Sequence, residues 1–305
     1  MPLTSIIIPV YNEEENIIPL YEELRTVTYS QTEIIWVDDG STDNSLQKIA
    51  EISAEDNLVK CISFSRNFGH QAALIAGLHY AAGNYIVIMD SDFQHPPQLI
   101  PQFLHKLNEG YDIVSGKRIK TQNISVLKKY TGKLYYKLIN FLSDTHIEEN
   151  VADFRAFNRR VLDAILQFEE KEIFLRGVFG WIGFKKVFIE YNAPGRKYGQ
   201  TKYSSPKMIS LGLRGVISFS FKPLRVSLLI GSIISLVSFL LAINAVFAYL
   251  NGNTVPGWTS IIIAIMFFGG IQLLFLGLIG EYISSLFIEV KKRPKYIVKE
   301  TINVS

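Results

Sequence analysis

Two carboxylates separated by one residue follow a short apolar run, and their type and spacing suit metal chemistry. The run is Tyr85 to Met89, and the acidic pair is Asp90 and Asp92. Because side chains alternate along a strand, we expect both carboxylates on one side, with Gln94 next on that side. Such hard oxygen ligands form part of a Mg²⁺ or Mn²⁺ shell that substrate phosphates and water complete. The alternative interpretation is a solvated turn that closes a strand.

The acidic pair is one of four polar clusters that follow apolar runs. Strands are predicted at Ser5–Val10, Glu33–Val37, Val59–Phe64, Tyr85–Met89 and Asp112–Val114, with helices near 14–27, 43–55, 70–82 and 97–108. This alternation predicts an α/β fold with a mostly parallel sheet covered on both faces. Ligands of such sheets bind at the carboxyl ends of the strands. The clusters at those ends are Tyr11-Asn12-Glu13, Asp38-Asp39-Gly40-Ser41, Ser65-Arg66-Asn67 and Asp90-Ser91-Asp92.

The cluster after the second predicted strand places two carboxylates, Asp38 and Asp39, side by side. Adjacent carboxylates repel each other unless a partner compensates them, and a ribose or a base edge is one candidate partner. Gly40 suits a tight turn, and Ser41 or Thr42 suits the cap of the following helix. A purely structural role for the cluster is the alternative.

A long uncharged segment predicts a membrane anchor. Residues Val226 to Gly280 contain no Asp, Glu, Lys or Arg. One helix of that length would reach roughly 80 Å, against a bilayer core of about 30 Å. The turn-rich string 251–257 divides the segment into spans near 226–250 and 259–283. Basic residues flank the pair of spans and are absent from the turn, which predicts that both ends face the cytoplasm.

The distribution of basic residues indicates more about binding partners than the net charge does. The net charge is +3. Lys and Arg are concentrated in residues 117–137 and again in residues 196–214, before the first span. Beside a membrane anchor, such clusters favour anionic lipid head groups over nucleic acid. Residues 124–142 and 205–221 have the pattern of amphipathic helices at the membrane surface, although the first also suits a helix packed on the core.

Three smaller features complete the description. Cys61 is the one cysteine, so an intramolecular disulfide is excluded and a small core residue is expected. The first residues lack a basic segment followed by an apolar one, so we expect no signal peptide. The tail, Lys295 to Ser305, is short and is expected to contribute little.

Taken together, the motifs resemble family 2 glycosyltransferases with the GT-A fold. Within that family, later segments resemble the polyprenyl-phosphate branch, which includes bactoprenol glucosyltransferases and dolichol-phosphate mannose synthases. The resemblance covers nearly the whole chain, including the two spans. The motifs that carry it are Ile8 to Glu13, Val37 to Ser41, Ser65 to Gly69, Met89 to Pro97, Asp153 to Arg160, Arg176-Gly177, Trp181 to Phe184 and Gly199 to Tyr203.

The resemblance implies a set of site residues. The implied nucleotide-sugar site comprises Pro9, Tyr11, Glu13, Asp38, Asp39, Arg66, Asp90 and Ser91. The implied metal ligands are Asp90, Asp92 and Gln94, and the implied phosphate-binding residues are Lys117, Arg118, Lys128, Lys129, Arg196 and Lys202. The implied catalytic residues are Asp153, Asp92 and Arg118. Relatives often have two arginines or an Arg-Tyr pair at Lys117-Arg118, so which of the two reaches phosphate stays open.

The implied reaction is inverting transfer of a hexose from a UDP-sugar, with Mg²⁺ or Mn²⁺, to undecaprenyl phosphate at the cytoplasmic face of the plasma membrane. UDP-glucose is the expected donor, with UDP-N-acetylglucosamine or GDP-mannose as alternatives, and self-association into a homo-oligomer is expected. Asp153 has three candidate roles: general base, orienting group, or N-cap of a helix in the Phe154 to Leu166 segment.

Rival functions fit the sequence less well. A nucleotidyltransferase would usually carry a glycine-rich basic loop after the first strand, where this chain has an acidic one. A processive polysaccharide synthase would usually carry Gln-x-x-Arg-Trp, which is absent, and a larger membrane domain. A non-catalytic scaffold or flippase component would have no need of the acidic residues. The expected domains are a cytoplasmic catalytic domain (1–204), a juxtamembrane amphipathic helix (205–224), two transmembrane helices (225–288) and a cytoplasmic tail (289–305).

Overall fold

The structure is a computed structural model that describes residues 3–119, 151–171, 173–194, 220, 222–251 and 257–304. The chain forms two compact units. One contains the β-sheet, and the other contains two long helices. The segments 124–142 and 205–221, predicted as amphipathic helices, lie outside the described residues except for Ser220.

The described residues of the first unit form an eight-stranded mixed sheet in the order β7-β5-β6-β4-β1-β2-β3-β8. The four strands β1 to β4 run parallel to one another at its centre. Every side chain of β1 and β2 is buried, as expected for central strands covered on both faces. The strands are β1 Thr4–Val10, β2 Thr32–Asp38, β3 Val59–Phe64, β4 Tyr85–Ile88, β5 Ile113–Arg118, β6 Val151–Asn158, β7 Lys186–Tyr191 and β8 Val298–Ile302.

Helices cover the sheet and match the predicted alternation closely. They are α1 Glu14–Val27, α2 Ser45–Glu55, α3 His70–Tyr80, α4 Ile100–Asn108, α5 Arg159–Ile165 and α6 Leu175–Trp181, with a short 3₁₀ turn at Pro97–Leu99. Their apolar residues pack with the strands in a core that includes Trp36, Phe103 and Phe154, all fully buried. The predicted α/β fold with a mostly parallel sheet is therefore confirmed.

Two sequence predictions about this unit are wrong. The Phe154 to Leu166 segment is not one helix: it begins in β6, which pairs antiparallel with β4 and β5, and becomes helical only at Arg159. The C-terminal tail does contribute to the fold. Its strand β8 pairs antiparallel with β3 at the edge of the sheet, with Cys61 opposite Ile302.

The second unit contains two long apolar helices, α7 Lys222–Leu250 and α8 Trp258–Val290. Within them, Lys222–Leu241 and Ala264–Val290 are long and apolar enough to cross a membrane. Large apolar side chains along both helices, such as Leu228 and Leu274, are exposed rather than packed in a core. The two predicted spans are confirmed as candidate membrane helices.

Candidate active site

The carboxyl ends of β1 and β2 are joined by hydrogen bonds between the polar residues that follow them. The Asn12 amide N–H donates to Ser41 Oγ at 2.9 Å, and the Thr42 amide N–H donates to Asn12 Oδ1 at 2.8 Å. Ser41 and Thr42 therefore tie the two strand ends together and do not cap α2, which begins only at Ser45. The parallel strands bring these loops to one edge of the sheet, as predicted.

Asp38 and Asp39 turn in different directions and find separate partners inside the protein. Asp38 is buried and accepts hydrogen bonds from the Ser41 amide at 3.0 Å and the Ser63 hydroxyl at 2.9 Å. Asp39 accepts from the amides of Phe68 and Gly69, at 2.6 and 2.9 Å. These protein groups compensate the adjacent carboxylates that the sequence left without partners.

Asp39 also connects β2 to the loop that follows β3, residues Ser65 to Gly69. We call it the donor loop because the resemblance implies that its Arg66 belongs to the site for the nucleotide-sugar donor. Burial raises the pKa of Asp39, and the two amide hydrogen bonds oppose that shift. Its neighbour Gly40 has a φ of 70°, and a Cβ there would lie 2.5 Å from the carbonyl carbon of Arg66. The Arg66 guanidinium lies over the Phe68 ring, 4.0 Å from its centroid. Asp39 and Gly40 thus determine where the donor loop, and Arg66 in it, can lie.

The acidic pair lies in the loop that follows β4. Strand β4 ends at Ile88, and Phe93 has a φ of 62°, so strand alternation does not extend through residues 90 to 94. Instead the loop folds on itself, and Asp92 Oδ1 accepts a hydrogen bond from the Gln94 amide at 3.1 Å. Ser91 and Asp92 are buried, whereas about a third of the Asp90 side chain is exposed.

Two histidines flank Asp90. His70 Nε2 lies 2.9 Å from Asp90 Oδ1. His95 is fully buried, and its Nδ1 accepts a hydrogen bond from the Asp90 amide at 2.9 Å. Desolvation alone would raise the pKa of Asp90, but His95 and the hydrogen bond from His70 hold it well below its ordinary value. Asp90 is therefore ionised and fixed in place from both sides.

His95 packs inside the fold, against β6. Its ring stacks on Phe154, with centroids 5.1 Å apart. Burial and the Arg118 guanidinium lower the pKa of His95, although the Asp90 carboxylate opposes them. Because Nδ1 accepts a hydrogen bond from the Asp90 amide, the ring proton of the neutral form lies on Nε2, which faces Asp90 Oδ2 at 3.7 Å.

Arg118, at the end of β5, extends toward the acidic pair. Its Nη2 lies 3.3 Å from His95 Nε2, and its Nε donates to the Tyr191 hydroxyl at 3.2 Å. Adjacent residues of a strand face opposite sides of the sheet, so Lys117 does not share this position. Of the two basic residues that the sequence left open, Arg118 is the one placed beside His95, and which of the two binds phosphate stays a prediction.

Asp153 is held by arginines. Arg176 donates to both of its carboxylate oxygens, at 2.8 and 2.7 Å, and Arg155 Nη2 lies 4.0 Å from Oδ1. Although burial raises the pKa of Asp153, the two guanidinium groups lower it more, to well below its ordinary value. The N-cap interpretation of Asp153 is wrong, because the residue lies in β6 and Asn158 caps the following helix through the Val161 amide.

The remaining predicted site residues fall into two groups. Pro9 is in β1, opposite Val37 of β2, and Glu13 accepts a hydrogen bond from the Asn16 side chain at 2.6 Å. Tyr11 follows β1 directly. Lys128, Lys129, Arg196 and Lys202 lie outside the described residues. The roles of all these side chains stay predictions.

Sequence reasoning missed four charged or titratable residues of the site: His70, His95, Arg155 and Arg176. The two histidines lack metal-ligand spacing, and they meet at Asp90 only because α3 and the loop after β4 converge there. Arg176 is 23 residues from Asp153 along the chain. The motifs of the resemblance did include His95, Arg155 and Arg176, and this was the available signal.

The carboxylates of Asp90 and Asp92 would suit a metal ion that also binds the substrate. Within the described residues, no group of three or more His, Cys, Asp or Glu side chains is arranged to hold a metal ion by itself. Asp90 and Asp92 supply hard, charged oxygens in one short loop. Mg²⁺ and Mn²⁺ commonly take one or two carboxylates and complete their shell with phosphate oxygens and water.

Comparison with known proteins agrees with this geometry. The family model for Glycosyl transferase family 2 matches residues 5–166, which include β1 to β6 and the acidic pair. The chain belongs to glycosyl transferase family 2. It is an enzyme of the glycosyltransferase class.

Two relatives resemble the chain over nearly its whole length, and one solved structure shares its fold. It is 41% identical to the uncharacterized glycosyltransferase YkcC of Bacillus subtilis over 98% of this chain and 94% of the relative. It is 39% identical to the prophage bactoprenol glucosyl transferase homolog of Escherichia coli over 97% of this chain and 98% of the relative. Glucosyl-3-phosphoglycerate synthase from Mycobacterium tuberculosis, solved with Mn²⁺, UDP and phosphoglyceric acid, has the same fold, with a TM-score of 0.50 at 16% identity over 71% of this chain and 76% of that chain.

Proposed function

We propose that this family 2 glycosyltransferase transfers a glucosyl group from UDP-glucose to undecaprenyl phosphate at the cytoplasmic face of the membrane. The observation that carries the proposal is the loop with Asp90 and Asp92 at the carboxyl edge of the sheet, beside Arg118, in a chain with two apolar helices. The names of the bactoprenol glucosyl transferase relatives support this choice of sugar and acceptor.

A divalent metal is part of the proposal. Asp90 and Asp92 would hold Mg²⁺ or Mn²⁺ with the donor diphosphate, and the bound ion would neutralise charge on the departing UDP. Arg118 is placed to bind the same diphosphate, since it lies within reach of His95 and faces the acidic pair. A guanidinium is well suited to phosphate, which it can contact through two donors.

The acceptor needs little activation. A phosphate monoester has a second pKa of about 6, so it is largely dianionic at neutral pH. One of its oxygens attacks the anomeric carbon, the bond from that carbon to the UDP oxygen breaks, and its electron pair leaves with UDP. A single displacement inverts the anomeric configuration. Asp153, ion-paired with Arg176 on both oxygens, suits an orienting role better than proton abstraction.

The two apolar helices fit a lipid-linked acceptor. Basic residues flank the pair on both sides, with Lys222 and Arg225 at the start of α7 and Lys291 to Arg293 after α8. By the positive-inside rule, both ends face the cytoplasm, where nucleotide sugars are available. Self-association within the membrane stays a prediction.

The test is a transfer assay on membranes that carry the protein. Radiolabelled UDP-glucose, UDP-N-acetylglucosamine and GDP-mannose are each supplied with undecaprenyl phosphate and Mg²⁺ or Mn²⁺, and the label extracted into organic solvent is counted. We expect extraction from UDP-glucose only, loss of it with a chelator, and loss of it in Asp92→Ala at unchanged membrane content. Extraction from a different donor would overturn the choice of sugar, and extraction from none would overturn the proposed function.

A further inference from the structure

The C-terminal residues return to the catalytic unit and meet the donor loop. After α8 ends at Val290, residues 293–304 belong to the same compact unit as the sheet. Their strand β8 extends the sheet beside β3, the strand that leads directly into the donor loop. The tail is therefore a structural neighbour of Arg66.

The two ends of this tail make different contacts. At the distal end, the Asn303 side chain donates to the carbonyls of Ser53, at 2.6 Å, and Val59, at 3.0 Å. These carbonyls belong to α2 and to the start of β3, at the opposite end of that strand from the donor loop. Asn303 thus anchors the tail without touching the donor loop.

At the proximal end, Tyr296 and Ile297 contact the start of the donor loop. The Ser65 amide donates to the Ile297 carbonyl at 3.0 Å. The Tyr296 ring stacks on Phe64, with centroids 4.9 Å apart and planes 12° apart. This hydrogen bond and this ring pair hold the chain at the point where β3 becomes loop.

The contact continues from Phe64 into the loop itself. The Phe64 ring packs edge-on against Phe68, with centroids 5.8 Å apart. Phe68 carries the Arg66 guanidinium on its face and donates its amide to Asp39. The donor loop is therefore supported from one side by Asp39 and Gly40 and from the other by the tail, through Phe64.

We infer that Tyr296 is a positioning residue for the donor nucleotide, acting through Phe64 and Phe68 on Arg66 and the donor loop. This inference rests on the proposed function, because a role in positioning the nucleotide requires that the protein uses a nucleotide sugar. It also takes from the resemblance the assignment of Arg66, in the donor loop, to the nucleotide-sugar site. Its consequence is specific. The tail affects how tightly the donor binds, while the chemistry at Asp90 and Asp92 proceeds at its own rate once the donor is bound.

The test compares three variants of the full chain, purified in detergent. In Tyr296→Ala the ring pair is lost, so we expect KM for the UDP-sugar and the Kd of UDP to rise roughly three- to tenfold, the range set by one aromatic pair. The kcat is expected to change by less than about twofold, because only binding is affected. Tyr296→Phe keeps the stack and should restore the wild-type KM. Asn303→Ala removes the distal anchor and serves as the matched control, with KM unchanged.

Hydrogen exchange gives a readout that needs no nucleotide. The Phe68 and Gly69 amides, which donate to Asp39, should exchange faster in Tyr296→Ala and at the wild-type rate in Asn303→Ala. If Tyr296→Ala does not fold, Tyr296→Leu tests the same contact, because Leu fills the volume without a stacking ring.

The outcomes separate the two proposals. Equal KM and equal amide exchange in Tyr296→Ala and wild type would overturn the role of Tyr296 while leaving the transferase function intact. An equal rise of KM in Asn303→Ala would also overturn it, since a general loss of tail docking would then explain the effect. If the wild-type protein binds no UDP and transfers no sugar, the proposed function fails, although amide exchange still reports whether Tyr296 supports the loop.

Discussion

Arg176 and Asp153 form a two-point ion pair, with Nε 2.8 Å from Oδ1 and Nη2 2.7 Å from Oδ2. They come from different elements, α6 and β6, and 11% of the Asp153 side chain is exposed. A general base must give up such partners before it can accept a proton. The ion pair instead fixes the direction in which Asp153 presents its oxygens.

The first prediction concerns the role of Asp153. Asp153→Asn keeps the shape of the side chain and removes its charge. We expect kcat to fall by less than about 100-fold, whereas loss of a general base typically costs about 100- to 10,000-fold. Activity should still decline below about pH 6 in both proteins, because the acceptor phosphate takes up its second proton there. Steady-state transfer rates from pH 5 to 8 measure both effects.

Asp163→Asn serves as the control for this measurement, since Asp163 is an exposed acid that pairs with Arg159. A loss above about 1000-fold in Asp153→Asn, together with disappearance of its acid limb, would identify Asp153 as the base.

The second prediction concerns stability and pH. The pKa of Asp153 is lowered in the folded protein, mainly by Arg176 acting against burial. A carboxyl group whose pKa is lower in the folded than in the unfolded state stabilises the folded state at pH values above its unfolded-state pKa of about 3.9. This contribution is lost as the pH falls through the folded-state pKa. Arg176→Ala should therefore lower the free energy of unfolding by about 2 kcal/mol at pH 7, between the values for exposed and buried pairs.

Thermal unfolding of the two proteins measures this difference, which should shrink as the pH is lowered below about 4. Lys106→Ala, which breaks the exposed pair with Glu109, should change stability little. A difference between Arg176→Ala and wild type that stays constant down to pH 3 would show that the ion pair is not its source.

The parts of the fold that follow local patterns were predictable from the sequence. Strands β1 to β4 are runs of apolar residues that end in polar clusters, so their ends and their common edge could be anticipated. The two apolar helices were equally clear from the absence of charge between Val226 and Gly280. Each of these signals is contained within a few tens of residues.

The elements that were predicted wrongly are formed by contacts between segments distant in the sequence. Strand β6 pairs with β4 and β5, and its alternation of apolar and polar residues, from Ala152 to Ala156, is too short to distinguish a strand from a helix. The tail becomes a strand only because β3 offers it an edge, and Asn303 bonds to residues about 250 positions away. Period-two alternation also could not place Gln94, since β4 ends at Ile88 and the positive φ of Phe93 interrupts extended geometry just before it.

The third prediction concerns metal affinity. His70 Nε2 lies 2.9 Å from Asp90 Oδ1 and so fixes the orientation of a proposed metal ligand. Removing a group that orients a ligand usually costs 10- to 100-fold, so His70→Ala should raise the Mn²⁺ concentration for half-maximal UDP binding by about tenfold. Calorimetric titration of UDP at a series of Mn²⁺ concentrations measures this.

His79→Ala is the matched control, because His79 lies on the same helix as His70 and its Nδ1 bonds to the Ile75 carbonyl within that helix. We expect its metal dependence to equal that of wild type. Tighter Mn²⁺ dependence in His70→Ala would contradict the prediction and would mean that His70 competes with the ion for Asp90 Oδ1.

The fourth prediction concerns the turn at Gly40, where a side chain would meet both an unfavourable backbone conformation and a steric clash. The φ of 70° disfavours any side chain, and a Cβ would lie 2.5 Å from the Arg66 carbonyl carbon and 2.8 Å from the Asn67 amide nitrogen. Gly40→Ala must therefore displace the donor loop. We expect it to lower stability by about 1–3 kcal/mol and to weaken UDP binding by roughly tenfold or more.

Substitution of Gly110 distinguishes the effect of backbone conformation from that of the steric clash. Its φ of 93° is equally unusual, but a Cβ there would meet nothing within 4 Å. Gly110→Ala should therefore lower stability by about 1 kcal/mol and leave the Kd of UDP unchanged. Thermal unfolding and calorimetry on both variants measure the comparison. Equal losses of UDP affinity in the two variants would attribute the effect to backbone strain alone, whereas a loss confined to Gly40→Ala would tie nucleotide binding to the position of the donor loop.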